Sequence, residues 1–271
     1  MRSARPPSYA LTRPDRPTLR ITQHCSLGSI LSPLLSNVAL SILDEHIAHG
    51  PGGPGIGKVQ AAKRRRHGLA NYRLVRFADD WCLAVFGTRA HAEALREEIA
   101  EVLSRMGLRL SQEKTLVTHI DEGLDFLGWR IQRHRKPGTN RYYIYTYPAK
   151  KALRAVKAKV KNLCRQVGTN QPLDTLLRQL NSALRGWCAY FRYGVSHATF
   201  NYLRHYTWQT VWRWLQRKHP KATWKQIRRR YCAGGWWPSS GNRELFNPAT
   251  AGTTRYRYRG TIIPSPWPTT G

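Results

Sequence analysis

The chain has 271 residues, of which 45 are Lys or Arg and 15 are Asp or Glu, giving a formal charge of +30. That length accommodates about two domains, each with its own core, and a charge so far beyond what solubility requires implies a polyanionic partner. No uninterrupted apolar run reaches the roughly 18 residues of a bilayer span, and five scattered cysteines without a Cys-x-x-Cys pair argue against a disulfide framework or a zinc knuckle and for a reducing, cytoplasmic setting.

Residues 1–22 read as irregular. Their one acidic residue, Asp15, sits in Arg13-Pro14-Asp15-Arg16-Pro17, where the prolines oppose a paired central strand. Gly28-Ser29-Ile30-Leu31-Ser32-Pro33-Leu34-Leu35-Ser36-Asn37 opens an apolar helix running toward Asp44. Gly50-Pro51-Gly52-Gly53-Pro54-Gly55 and Lys63-Arg64-Arg65-Arg66 then read as a flexible loop with a basic run. Two apolar strand-like runs, Tyr72 to Arg76 and Trp81 to Phe86, flank Phe77-Ala78-Asp79-Asp80, which places a carboxylate pair on the tip of a hairpin. Hard cations such as Mg²⁺ select carboxylate oxygens, and paired ions stabilise the attacking and leaving oxygens of an in-line phosphoryl transfer. The pattern suits a two-metal polymerase, although on the dipeptide alone a plain polar turn is the preferred reading, since Asp is common where strands reverse.

The next helix follows Thr88 as N-cap, carries Leu95, Ile99, Val102 and Leu103 on one face, and stops at Gly107 in a left-handed C-cap. Its Glu93, Glu97, Glu98 and Glu101 face water. Gly107-Leu108-Arg109-Leu110-Ser111, Glu113-Lys114-Thr115 and Phe126-Leu127-Gly128 complete the first half, and Pro137-Gly138, within Lys136 to Asn140, suggests a boundary. Beyond it, Arg141 to Tyr147 alternates as a short strand. A helix follows with Leu153, Val156, Val160 and Leu163 as its apolar stripe and Lys150, Lys151, Arg154, Lys157 and Lys161 around it. Further helices are expected over Asp174 to Arg192, His197 to Lys218 and Thr223 to Tyr231, with a Gly- and Pro-rich tail from Cys232 that ends in the alternating Arg255-Tyr256-Arg257-Tyr258-Arg259.

Charge is distributed unevenly along this order. Thirteen of the fifteen acidic residues occur by Asp125, after which only Asp174 and Glu244 accompany 28 Lys and Arg. Such a surface suits a phosphate backbone and its releasable counterions. The interleaved Trp and Tyr residues suit stacking on unpaired bases and so favour RNA. Trp187 and Phe191 extend the stripe of Leu173, Leu177, Leu180 and Leu184 and read as packing, whereas Arg178, Arg185 and Arg192 repeat at heptad spacing on another face and read, with Arg228, Arg229 and Arg230, as RNA contacts.

In their order and spacing, the segments from Gly28 through Asp79-Asp80 to Phe126-Leu127-Gly128 resemble the palm of reverse transcriptases encoded by group II introns. Leu180-Asn181, Arg185-Gly186-Trp187 and Tyr190-Phe191-Arg192 resemble the maturase-specific thumb domain of the same family. The resemblance implies an α+β fold: a partial palm, an antiparallel hairpin sheet with helices, over 23–136, then a mostly helical maturase domain over 137–232 and a basic aromatic tail over 233–271. It implies Asp79 as the main Mg²⁺ ligand with Asp80 beside it, Gly28, Phe77 and Lys114 near nucleotide or template, and Phe126, Leu127 and Gly128 as a primer grip. It also implies intron RNA and an RNA/DNA primer-template as partners, with splicing assistance and RNA-directed DNA synthesis as activities. Two departures stand out. Leu27 precedes Gly28 where the family usually has Gln, and the third aspartate of the family, carried on an earlier palm strand, has no match before Cys25. The chain therefore reads as lacking the fingers and first palm motif, which an upstream-encoded half would supply. A non-catalytic RNA-binding protein and a truncated reading frame are the competing accounts. No His follows His219, so no clustered-His endonuclease domain is expected.

Overall fold

The computed structural model describes residues 8–12, 31–111, 115–135, 137–233 and 235–254. Asp15, Cys25, Gly28, Glu113, Lys114 and Arg255 to Arg259 lie outside the described residues. Two compact units are present, one of residues 8–127 with 131–144 and the other of 128–130 with 145–254. Pro137 and Gly138 fall in the first unit, in the connection between two strands.

The first unit begins with β1 (Ser8–Thr12), α1 (Leu31–His49), α2 (Lys58–Arg66), β2 (Asn71–Phe77), β3 (Asp80–Phe86), α3 (Arg89–Ser104) and β4 (Leu116–His119). The four strands form one sheet in the order β2-β3-β1-β4 with every neighbour antiparallel. With α2 set aside, this is the split β-α-β-β-α-β arrangement of ferredoxin-like folds. The expectation of an irregular segment over 1–22 is corrected here. Ser8–Thr12 contains no proline, so its N–H groups can pair on both sides even though Pro6, Pro7 and Pro14 bracket it. β1 runs toward the hairpin tip, with Thr12 opposite Cys82.

α1 and α3 supply Leu43, Ile47, Leu95 and Ile99 to a core shared with Tyr72, Trp81, Leu83 and Val85 of the hairpin. The Thr88 cap holds: its hydroxyl accepts from the N–H of His91, and the His91 ring accepts from the N–H of Thr88, a reciprocal box closed by His instead of Glu. Gly107, at φ 70°, ends the helix with Leu108 bonded back to Leu103. The acidic face is not wholly solvated, because Glu98 turns to His46 of α1 at 2.6 Å.

The basic run Lys63-Arg64-Arg65-Arg66 is the last turn of α2 and not a flexible loop. Lys58–Arg66 consists mostly of strong helix formers, its cations sit where the helix dipole favours them, and Gly68 at φ 72° closes it as Leu69 bonds back to Arg64. The preceding glycine run is equally fixed. A Cβ on Gly53 would meet the Ile47 carbonyl at 2.0 Å, and the Tyr72 N–H donates to the Gly52 carbonyl at 2.7 Å.

β5 (Leu124–Phe126), β6 (Trp129–Arg135) and β7 (Tyr142–Pro148) form a separate three-stranded sheet. In the second unit come α4 (Lys150–Gln166), α5 (Leu173–Phe191), α6 (His197–Lys218) and α7 (Trp224–Tyr231). Val156, Val160 and Cys164 of α4 meet Leu176, Leu177, Leu180 and Leu184 of α5 and Val211, Trp214 and Leu215 of α6 in one core. Cys164 continues the stripe by one further turn, and burial pushes its thiol pKa up to about 12. Phe191 is buried and Trp187 packs beside it, so both are packing residues.

The segment after Cys232 is more ordered than its glycines and prolines suggest. β8 (Ser239–Ser240), β9 (Arg243–Glu244) and a short 3₁₀ turn (Pro248–Thr250) return it to α5, where Leu245 is buried. The buried Asn181 side chain organises this return: its amide donates to the Glu244 carbonyl at 2.7 Å and its oxygen accepts from the Phe246 N–H at 2.7 Å. No helix among the described residues is long and apolar enough to cross a membrane.

Replacing Asn181 with Ala removes both bonds and leaves two backbone groups without partners. It should lower unfolding free energy by about 1–3 kcal/mol in urea denaturation and speed proteolytic cleavage near residue 244.

Candidate active site and nucleic-acid interface

Strands β2 and β3 pair from Asn71 with Phe86 to Phe77 with Asp80, which leaves only Ala78 and Asp79 to reverse the chain. A two-residue reversal matched to strand twist needs positive φ in the turn. Ala78 supplies it at φ 54°, although it is not glycine. Strain of this kind costs on the order of 1–3 kcal/mol and persists only where neighbours over-determine it. Arg76 is that neighbour. Its guanidinium lies in a fork against the Asp44 carboxylate of α1, with Nε at 2.9 Å and Nη2 at 2.5 Å from Oδ2. Nη1 donates to Asn37 at 2.8 Å and to the Ala78 carbonyl at 3.0 Å. Both charged side chains are largely shielded, at 15% and 19% exposure. Sequence reasoning missed this brace. Asp44 marked only the end of a helix there, and Arg76 only the end of a strand.

The outcome is an exposed Asp79 at the turn and a half-buried Asp80 on the first position of β3. Phe77 and Val75 stand on the opposite face from Tyr72 and Leu74, exposed by 66% and 51%. Among the described residues no group of three or more His, Cys, Asp and Glu is placed to hold a metal ion. The donor set still fits a hard divalent cation, because Mg²⁺ at phosphoryl-transfer sites commonly takes one or two carboxylates and completes its shell with water and substrate phosphates.

Phe126-Leu127-Gly128 forms a second tight hairpin, with Leu127 at φ 49° and Gly128 at φ 80° between β5 and β6. Two consecutive positive φ values define the type I′ reversal. The Gly128 carbonyl accepts from the Ala149 N–H at 2.8 Å, and a Cβ there would press on Phe191 at 3.4 Å. Gly28 and Lys114, the other residues expected near nucleotide, lie outside the described residues.

The basic residues of the second unit do not all serve one surface. Lys150, Lys151 and Arg154 are outward or at the margin of α4, but Lys157 reaches the Tyr202 hydroxyl at 2.7 Å and lies over the Tyr202 and Tyr206 rings. Arg178, Arg185 and Arg192 are exposed on α5 or its C-cap, Arg178 within 3.9 Å of Asp174 and Arg185 over the Phe246 ring. Arg228 is half-buried against Trp236, while Arg229 and Arg230 line a cleft of about 570 Å³ with Lys218. A larger cleft of about 800 Å³ between α4 and α6 is lined by Lys161, Arg165, Arg213 and Arg217, with no acidic residue. Its charged lining is wholly cationic, and three of these four cations carried no signal of their own in the sequence.

Comparison with known proteins matches two different family profiles to successive parts of the chain. The family profile described as reverse transcriptase (RNA-dependent DNA polymerase) matches residues 14–131, and that described as group II intron, maturase-specific domain matches residues 153–232. The two matches, together with the similarity to LtrA below, support a group II intron reverse transcriptase/maturase. Its carboxylate hairpin lies inside the reverse-transcriptase match, and the four-helix unit carries the maturase-specific match. Protein YkfC of Escherichia coli (strain K12) is 32% identical over 139 residues, covering 46% of this chain and 36% of that protein. Group II intron-encoded protein LtrA of Lactococcus lactis subsp. cremoris is 35% identical over 68 residues, covering 25% of this chain and 11% of that protein. The chain thus spans well under two thirds of either relative.

If Arg76 over-determines the hairpin turn, Arg76→Ala should lower the unfolding free energy by about 1–3 kcal/mol. Arg76→Lys should recover little of it, because an ammonium cannot form the fork. Guanidinium denaturation of the two variants checks this.

Proposed function

We propose that this protein binds group II intron RNA through its helical unit, as a maturase would, and uses Asp79 and Asp80 with Mg²⁺ for RNA-directed DNA synthesis on a primer-template. The observation that carries the polymerase part is the braced two-residue turn, which presents Asp79 outward at the cost of a strained Ala78. A plain polar turn needs neither strain nor brace. Mg²⁺ would supply charge stabilisation to the transferring phosphoryl group. Asp79 and Asp80 would hold the ion, Arg76 would keep their backbone in place, and Phe77, exposed beside them, offers a face for a base or sugar. The hairpin at Phe126, Leu127 and Gly128 would steady the primer end. A further carboxylate would come from residues outside the described ones.

The RNA-binding part rests on charge. The second unit sets its Lys and Arg against Asp174 and Glu244 alone, and its larger cleft has cationic walls. Binding of this origin weakens with salt, log K falling with log salt by roughly 0.7 to 0.9 per neutralised phosphate. A non-catalytic RNA-binding role is the second reading, favoured by the absence of a three-ligand group among the described residues.

Primer extension on an RNA template with Mg²⁺ separates the two. Synthesis that falls by about 10²-fold or more in Asp79→Asn supports the polymerase. RNA binding without any synthesis leaves the second reading, and synthesis unchanged by the substitution removes Asp79 from the chemistry.

A further inference from the structure

Most tryptophans of the second unit are consumed by packing. Trp214 is fully buried with its Nε1 donating to the Val167 carbonyl at 2.9 Å, and Trp237 packs on the core with its Nε1 bonded to the Leu245 carbonyl. Trp224 and Trp236 differ. They are 47% and 51% exposed, yet their rings stack at 5.7 Å with only 11° between planes. Their backbone is held from several directions. Trp224 is the first residue of α7, fixed by the box between Thr223 and Gln226. The Trp236 carbonyl accepts from Trp208 Nε1 at 2.7 Å, and the Gly235 carbonyl accepts from Arg228 Nε at 2.8 Å. The Arg228 guanidinium lies 4.4 Å from the Trp236 ring centre and the Lys225 ammonium 5.9 Å from that of Trp224.

We infer that Trp224, stacked on Trp236 and with Lys225 and Arg228 over the two rings, offers a preorganised stacking platform for an unpaired nucleobase of RNA. This inference rests on the RNA-binding part of the proposed function and adds what the helical unit reads. The two near-parallel rings cover each other's inner faces and Arg228 lies over Trp236, so the half-exposed Trp224, already seated on its partner, is the ring that a base meets at little ordering cost. The adjacent cations meet the phosphate attached to that base, and between Asp174 and Glu244 the sequence has no carboxylate to repel it. The same cations disfavour a quaternary ammonium or Lys-rich ligand, the other usual occupants of aromatic pairs. A base inside a duplex keeps its faces covered by its neighbours, so the platform selects loops, bulges and single strands.

The test measures affinities of the full chain for a short unstructured RNA and for a blunt RNA duplex across a KCl series. The double variant Trp224→Ala/Trp236→Ala should bind the single strand about 10- to 100-fold more weakly, change duplex affinity little, and keep the salt slope of the parent. Trp224→Tyr/Trp236→Tyr, which keeps two rings, should stay near the parent and so controls for loss of folding. Unchanged single-strand binding by the Ala variant, or an equal loss on both RNAs, overturns the platform while leaving the RNA-binding reading intact. A parent chain that binds neither RNA overturns both.

Discussion

The fork between Arg76 and Asp44 is the constraint on which the first unit turns. One guanidinium joins α1 to the last strand position before the hairpin and, through the Ala78 carbonyl, reaches the strained residue of the turn. A planar, permanently charged group with five donors can satisfy a carboxylate, an amide oxygen and a carbonyl at once, and no other side chain can. Shielding by the surrounding helix and sheet makes these charge-assisted bonds stronger than their surface equivalents and makes loss of either partner costly. In the proposed reading, the contacts that keep Ala78 at positive φ would also hold the backbone that carries Asp79.

The second unit solves a different problem, that of folding a chain with almost no negative charge of its own. Its stability comes from a continuous apolar core of α4, α5, α6 and α7, in which leucines, valines and Trp214 are excluded from water, and from a few buried amide contacts such as that of Asn181. Many cations are accommodated over aromatic rings or at helix C-termini: Lys157 over Tyr206, Arg204 over Trp237, Lys218 over Trp214 with its ammonium also on the Thr169 and Gln171 carbonyls. These arrangements neutralise charge repulsion without carboxylates. They leave clefts lined with further Lys and Arg, and there a polyanion would relieve repulsion that the protein itself does not.

Much of this was legible in the sequence where local chemistry dominates. The Asp79-Asp80 hairpin, the Thr88 cap, the Gly107 stop and the helix from His197 to Lys218 follow from period, caps and turn residues. Ser8–Thr12 was illegible because five residues between prolines carry little pattern. Their strand character comes from partners some seventy and a hundred residues away. In Lys58–Arg66 the neighbouring glycines masked good helix formers, and what fixes those glycines is close approach to the Ile47 and Ala70 carbonyls, a tertiary fact. The Arg76 brace and the Trp224–Trp236 stack share that limit. Each unites residues whose spacing along the chain has no period.

The central claim is that the braced hairpin holds a divalent ion when substrate phosphates complete its shell. Mn²⁺ reports on this directly, since it takes the same oxygen ligands and its binding can be counted by electron paramagnetic resonance. In the presence of a nucleoside triphosphate and primer-template, the wild-type chain should bind Mn²⁺ in excess of Asp79→Asn by one class of site, and Arg76→Ala should weaken that class without abolishing it. Identical Mn²⁺ binding by the wild-type chain and Asp79→Asn would contradict the account and return the hairpin to a structural turn.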